Sequence, residues 1–313
     1  MKENRKEEDV NLSVHLAGLT LRTPVIAASG TFGFGREYGK YVDLNRIGGI
    51  SVKGLTLHPR AGNPPPRIAE TPGGVLNSVG LQNPGVHAFI REEIPFLRQY
   101  DIRIIANVAG GTIEEYEEMA EILEEADIDA MELNVSCPNV KAGCAAFGSS
   151  AVILRDLVAS VKRRFSKPLF VKLTPNVTSI TEMARAAADG GADGLSLINT
   201  LLGMAIDIYR QRPVLANITG GLSGPAVKPV AVRMVYEVFR AVNLPIIGMG
   251  GIESGADAAE FMLAGASAVM VGTANFTNPA ACVHVAEELR SYLKCMGIND
   301  VSALTGALQT EAN

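Results

Sequence analysis

Short apolar runs alternate along the chain with longer stretches of helical periodicity. Eight runs read as strands: residues 25–30, 49–54, 102–109, 130–136, 169–174, 194–200, 245–251 and 268–273. Their bodies are continuously apolar rather than alternating, the pattern of parallel strands covered on both faces. Between them, Thr112-x-x-Glu115 opens a segment with Ile113, Tyr116, Met119 and Leu123 on one face. Ser179-x-x-Glu182 opens another, with Met183 and Ala187 four apart, and Ile153, Leu157 and Val161 recur every four residues in a third. The first two openings have the form of a capping box, in which side chains satisfy the orphaned N–H groups of a helix start. Eight strands in β–α alternation predict a (β/α)8 TIM barrel, one domain spanning 1–313. A doubly wound open sheet competes, but it needs a glycine fingerprint after its first strand. Gly30-Thr-Phe-Gly33-Phe-Gly35-Arg-Glu-Tyr38 has Tyr where the third glycine belongs.

Two features break the rhythm. Leu12–Leu16 and Leu19–Leu21 flank Ala17-Gly18, which predicts an N-terminal hairpin closing the barrel bottom. The connections 55–101 and 201–226 are too long for simple loops; they predict inserted loops over the C-terminal face, acting as lids or binding loops.

Charge and composition narrow the function. With 28 Lys+Arg against 33 Asp+Glu the net charge is −5, which gives no basic face for nucleic acid. Tryptophan is absent and aromatics make up 5%, so a base-stacking platform is excluded too. No apolar run approaches the ~18 residues of a membrane span. The first nine residues mix both charge signs without an apolar core, so the expected compartment is the cytoplasm. The four cysteines, Cys137, Cys144, Cys282 and Cys295, form no C-x-x-C pair, and the four histidines show no metal-ligand spacing, so no metal site is expected.

A barrel enzyme keeps its chemistry at the C-terminal ends of its strands. In order these ends read Ser29-Gly30, Lys53-Gly54, Asn107, Asn134, Lys172, Asn199-Thr200, Gly250-Gly251 and Gly272-Thr273. A lysine there can simply snorkel to water; two at matching positions fit an anionic ligand better. Three asparagines offer amides that both donate and accept, which suits a flat heterocycle with alternating C=O and N–H groups. Single glycines at these junctions are ordinary turn residues. Glycines after both of the last two strands, with Gly224 before another helix, favour a phosphate held by loop amides.

Cys137 leaves the fourth strand in Asn134-Val-Ser-Cys-Pro-Asn139 and precedes a glycine-rich stretch, 143–150, that reads as a loop able to close over the site. No neighbouring histidine completes a nucleophilic dyad, so a proton-transfer base is the better reading. Cys282 and Cys295 read as small buried hydrophobes.

Together, Asn134-Val-Ser-Cys-Pro-Asn139, Asn77-Ser-Val-Gly-Leu-Gln-Asn-Pro-Gly85, Val171-Lys-Leu-Thr-Pro175 and Ile247-Gly-Met-Gly-Gly-Ile252 resemble the dihydroorotate dehydrogenase family, from about Leu12 to the last helix. The resemblance implies a flavin-dependent barrel that oxidises dihydroorotate to orotate in pyrimidine synthesis. It implies that Ser29, Lys53, Gly54, Asn107, Asn134, Lys172, Ile198, Gly224, Gly250, Gly251, Gly272 and Thr273 bind FMN. Lys53, Asn77, Ser78, Val79, Gly80, Leu81, Asn134, Asn199 and Thr200 would hold the substrate, with Cys137 as the base. A cysteine at that position, with the stretches 141–148 and 202–208, is similar to the NAD-linked class 1B. That class implies a separate subunit carrying FAD and a 2Fe–2S cluster, and a homodimer of catalytic chains within a heterotetramer. The alternatives are a fumarate-linked class 1A enzyme acting without a partner and a non-catalytic flavin-binding scaffold.

Overall fold

The computed structural model describes residues 10–135 and 144–310, with the backbone alone for 144–146. All eight expected strands form: β1 Val25–Ala27, β2 Gly49–Ser51, β3 Arg103–Val108, β4 Ala130–Asn134, β5 Leu169–Lys172, β6 Gly194–Leu197, β7 Ile246–Met249 and β8 Ala268–Val271. They pair in parallel and in chain order, and β8 closes on β1 through Val269↔Val25, Met270↔Ile26 and Val271↔Ala27. This is a closed (β/α)8 barrel. The ladders stop two or three residues short of most expected ends. Single bonds continue past the last strand residues, such as Val52 N–H to Ile105 O, Leu173 N–H to Ser196 O and Ile198 N–H to Met249 O, before the chain turns over the barrel mouth. Lys172 is thus the last residue of β5, whereas Lys53 lies two residues beyond β2.

The outer helices bury the faces that periodicity indicates, with one correction. Ile113–Glu124 buries Tyr116, Met119, Ala120 and Leu123. Its start is not a closed box: Thr112 accepts from Glu115 N–H, but the Glu115 carboxylate turns back to the N–H of Gly111. Ile180–Asp189 is capped by Ser179 and buries Met183 and Ala187. In Ala151–Lys162 the inward stripe is Leu154, Leu157, Val158 and Val161, and Ile153 is exposed. Fourfold spacing advances about 40° per step beyond a full turn, so Ile153 drifts off the face that Val161 shares. The stretch expected as a loop at 143–150 contains a short helix, Cys144–Ser149. Phe147 of that helix packs edge-on against Tyr116, 5.8 Å between ring centres.

The N-terminal hairpin pairs Val14–Leu16 with Leu19–Leu21. Ala17 and Gly18 both take positive φ, 49° and 82°, as the two-residue turn that matches strand twist requires. Arg103 Nε at the start of β3 donates to Thr20 O, which holds the hairpin at the N-terminal end of the barrel. At the other end the two long connections are not separate loops. Ile68–Thr71 and Gly74–Asn77 from the first join Leu201–Met204 and Thr219–Ser223 from the second in one four-stranded antiparallel sheet. Gly221 lets that sheet settle on the barrel, since a Cβ there would lie 2.0 Å from Thr200 Oγ1. Among the described residues no helix is long and apolar enough to cross a membrane. Cys282 is buried, which pushes its thiol up to about 12. Cys295 is exposed, contrary to the sequence expectation, because it lies on the outer side of Ala281–Met296.

Candidate active site

A cavity of about 360 Å³ lies between the C-terminal ends of the barrel strands and the four-stranded sheet. That is within the usual range for a small-molecule or cofactor site. Every barrel strand contributes to its wall: Ser29 after β1, Lys53 and Gly54 after β2, Asn107 on β3, Asn134 on β4 and Lys172 on β5. Ile198, Asn199 and Thr200 follow β6, Gly250 and Gly251 follow β7, and Gly272 and Thr273 follow β8. The sheet side supplies Asn77, Val79, Gly80, Leu81 and Gly224. Ser78 is not in the wall: it is fully buried, its N–H donating to Arg67 O and its hydroxyl taking no partner among the described residues. Cys137 lies outside the described residues.

The wall has two chemically different regions. On the β7–β8 side the chain passes through glycines that side chains would block. A Cβ on Gly251 would lie 2.7 Å from Gly224 O, and one on Gly250 2.8 Å from Ala231 Cβ; both residues take positive φ. Among the described residues the N–H groups of Gly250, Gly251, Gly272 and Thr273 have no main-chain acceptor. The next helix, Gly255–Leu263, cannot serve as an anion site, because Ser254 and Asp257 close its own capping box. Anion-binding capacity on this side therefore rests on the loop amides. Asp257 also pairs with Lys228 at 2.6 Å, and with Glu260 holds that ammonium at a pKa of about 12, so the lysine stays charged but committed to the scaffold.

The β3–β6 side is a wall of amides. Asn107 is fully buried and Asn134 nearly so. Asn134 Nδ2 donates to Asn107 Oδ1 at 3.4 Å, and Asn199 Nδ2 donates to Asn134 Oδ1 at 3.3 Å. Tyr116 Oη donates to Asn134 O, pinning the end of β4 from the helix behind it. Gly54 leaves room for this wall, since a Cβ there would stand 3.0 Å from Asn107 Oδ1. Lys172 points in from β5, 95% buried, with Ser29 Oγ at 3.4 Å and no carboxylate partner among the described residues. A buried ammonium without a counter-charge is costly, so this cavity is built for negative charge.

Two features of the site escaped the sequence reading. Arg67 lines the cavity from the inserted segment, its guanidinium held by Asn63 O and Gln82. Glu132, in the middle of β4, is fully buried beneath the amide wall, accepting from Ser51 Oγ, Asn107 Nδ2 and Ser196 Oγ. A lone acid inside an apolar run carries no motif. Its only sequence signal is a charge where the strand pattern demands burial.

Free loop amides beside a buried cation and a planar amide wall suit a phosphate-bearing flavin such as FMN. The comparisons agree with that chemistry. The family model described as dihydroorotate dehydrogenase matches residues 11–293. A protein of Alkaliphilus metalliredigens named dihydroorotate dehydrogenase B (NAD(+)), catalytic subunit, is 59% identical over 96% of this chain and 99% of its own. Proteins of the same name from Thermoanaerobacter pseudethanolicus and Geobacter sulfurreducens are 55% and 56% identical, each over 96% of this chain and 100% and 98% of their own. The matched span contains every residue of the cavity wall, and end-to-end similarity at this level leaves no part of the barrel unaccounted for: the chain belongs to the dihydroorotate dehydrogenase family.

Proposed function

We propose that this chain is the catalytic subunit of an NAD-linked dihydroorotate dehydrogenase, working in the cytoplasm on the step of pyrimidine synthesis that turns (S)-dihydroorotate into orotate. The observation that carries the reading is the cavity itself, in which a buried Lys172 and three linked asparagines face the same space as the glycine loops after β7 and β8. The names of the full-length relatives support the substrate and the acceptor.

Oxidation removes a proton from C5 and a hydride from C6 and leaves a C5=C6 double bond. FMN, bound in the cavity, supplies the hydride acceptor. Cys137 takes the proton. Lys53 faces the substrate carboxylate, while Asn77, Asn134, Asn199 and Thr200 pair with its ring amides. Gly224, Gly250, Gly251, Gly272 and Thr273 hold the cofactor phosphate, and Ser29, Gly54, Asn107 and Ile198 complete the cofactor wall. Lys172 balances the negative charge that arrives with the electrons. The backbone from Val79 to Leu81 frames the substrate from the sheet side, with the buried Ser78 behind it.

The relatives' name, a catalytic subunit linked to NAD(+), supports a separate subunit through which the electrons leave. That partner carries FAD and a 2Fe–2S cluster, with two catalytic chains and two such partners in a heterotetramer. The test is a steady-state assay of the purified chain, verified free of other polypeptides by mass spectrometry. It should carry FMN by its absorption spectrum, and oxidise dihydroorotate with an artificial dye but not with NAD until the partner is added. Rapid NAD reduction by the chain alone would overturn the two-subunit reading. Rapid fumarate reduction would favour the fumarate-linked alternative.

A further inference from the structure

The chain leaves β6 through Asn199 and Thr200, both in the cavity wall, and enters the inserted sheet as Leu201–Met204. That strand stands at the edge of its sheet, paired with Thr219–Ser223 on one side only. An edge strand leaves main-chain groups without ladder partners. Two such groups, Thr200 O and Leu202 N–H, are met by a single side chain from another connection. Asn176, between β5 and the helix Ile180–Asp189, donates from Nδ2 to Thr200 O and accepts at Oδ1 from Leu202 N–H, each at 2.9 Å. A residue opposite Leu201 in a parallel ladder would make the same two bonds with its backbone. The side-chain amide takes the place of a strand.

Its orientation is fixed by its partners. A carbonyl only accepts and a backbone N–H only donates, so the amide cannot be reversed. Nδ2 carries a second hydrogen, and Thr174 Oγ1 accepts it at 3.1 Å; the same oxygen accepts from the main-chain N–H of Asn176 at 3.2 Å. Thr174 is buried two residues beyond β5, so the brace stands on the barrel itself.

Thr200 is held on its other side by the sheet, its Oγ1 lying 2.0 Å from where a Cβ on Gly221 would stand. Its N–H donates to Asn199 Oδ1 and its C=O accepts from Asn176, which leaves the hydroxyl without a partner among the described residues. We propose that Asn176 is a positioning residue for the substrate: it fixes the main chain at Thr200, so that the Thr200 hydroxyl is presented at a set place to a planar ring carrying C=O and N–H groups. Asn176 is exposed and stands outside the cavity wall. Water can satisfy Thr200 O and Leu202 N–H in its absence, but water is not tethered to β5 and cannot hold them in place. The inference rests on the reading of this cavity as the flavin and orotate site.

The experiment is a double-mutant cycle on FMN-loaded protein. Orotate is titrated with calorimetry and the flavin absorption change as readouts, alongside FMN content, the flavin midpoint potential and thermal melting. Thr200→Val keeps the shape and removes the hydroxyl, and should weaken orotate binding. Asn176→Ala should weaken it about 5- to 10-fold, the effect of roughly one net hydrogen bond. Because Asn176 acts through Thr200, the two losses should overlap: the double variant should bind within about 2-fold of Thr200→Val alone. FMN content and the midpoint potential should stay at their wild-type values. If Asn176→Ala does not retain FMN, Asn176→Ser, too short to span both main-chain groups, takes its place in the same cycle.

Losses that multiply in the double variant overturn the proposal. So does an Asn176 variant that melts lower yet binds orotate as the wild type does, because that is the mark of a purely structural brace. The underlying reading fails separately. Wild-type protein that binds no orotate overturns the reading of the cavity, and normal binding by Thr200→Val removes Thr200 from the substrate site and the proposal with it. Weak binding by Thr200→Val beside normal binding by Asn176→Ala overturns the role of Asn176 alone.

Discussion

Replacing Cys137 with alanine should leave FMN bound and slow its reduction by dihydroorotate by about 10²–10⁴-fold, the usual cost of a lost general base. The C5 proton is not acidic enough to leave unaided, and the amides of the wall are poor bases. Asn134, which lines the cavity, stands three positions before Cys137 in the sequence. The neighbouring Val135 is buried, and a Cβ on Gly148 would lie 2.6 Å from Val135 O. The strand end and the following short helix are therefore held close together. Only the thiolate accepts a proton, and an unperturbed thiol titrates near ~8.5. The wild-type rate of flavin reduction should therefore rise with pH through the thiol's pKa and level off above it, while the alanine variant should lack that rise. Single-turnover stopped-flow across pH, on protein with its flavin absorbance intact, measures both. Reduction as fast as in the wild type would remove Cys137 from the mechanism.

The barrel strands were legible because parallel strands buried on both faces must be apolar throughout, and eight such runs have few alternative arrangements. Their ends were less legible. Residues such as Val52 and Ile198 continue the apolar run and still bond to the neighbouring strand, but the regular strands end at Ser51 and Leu197. The polar wall was readable one residue at a time, since each member follows an apolar run. What escaped is what depends on distant pairing. Gly74–Asn77 meets Thr219–Ser223 through Gly221↔Asn77, more than 140 positions apart in sequence, and Gly220-Gly221 gives that strand none of the β-branched character by which strands are recognised. Glu132 was hidden for the same reason: its three donors come from β2, β3 and β6, and no local window contains them.

Lys172→Ala should lower the midpoint potential of the bound flavin. Reduction brings negative charge into the cavity, and Lys172 is 95% buried, its ammonium donating to the Ser29 hydroxyl and meeting no carboxylate among the described residues. A unit charge within roughly 4–8 Å, acting through an effective dielectric of about 20, contributes about 2–4 kcal/mol. For a two-electron couple that corresponds to a fall of roughly 40–90 mV. The sign is the discriminating part. Removing a cation that favours the electron-rich state must make the flavin harder to reduce, whereas removing a group that only packs against it has no reason to move the potential in one direction. Redox titration of the variant with a reference dye, on protein that retains FMN, reads the shift directly. The same loss should appear as slower reduction by dihydroorotate, without the change in pH profile expected of Cys137→Ala, because Lys172 moves no proton. A potential that stays level or rises would exclude Lys172 as the counter-charge and leave the burial of its ammonium without a role in the chemistry.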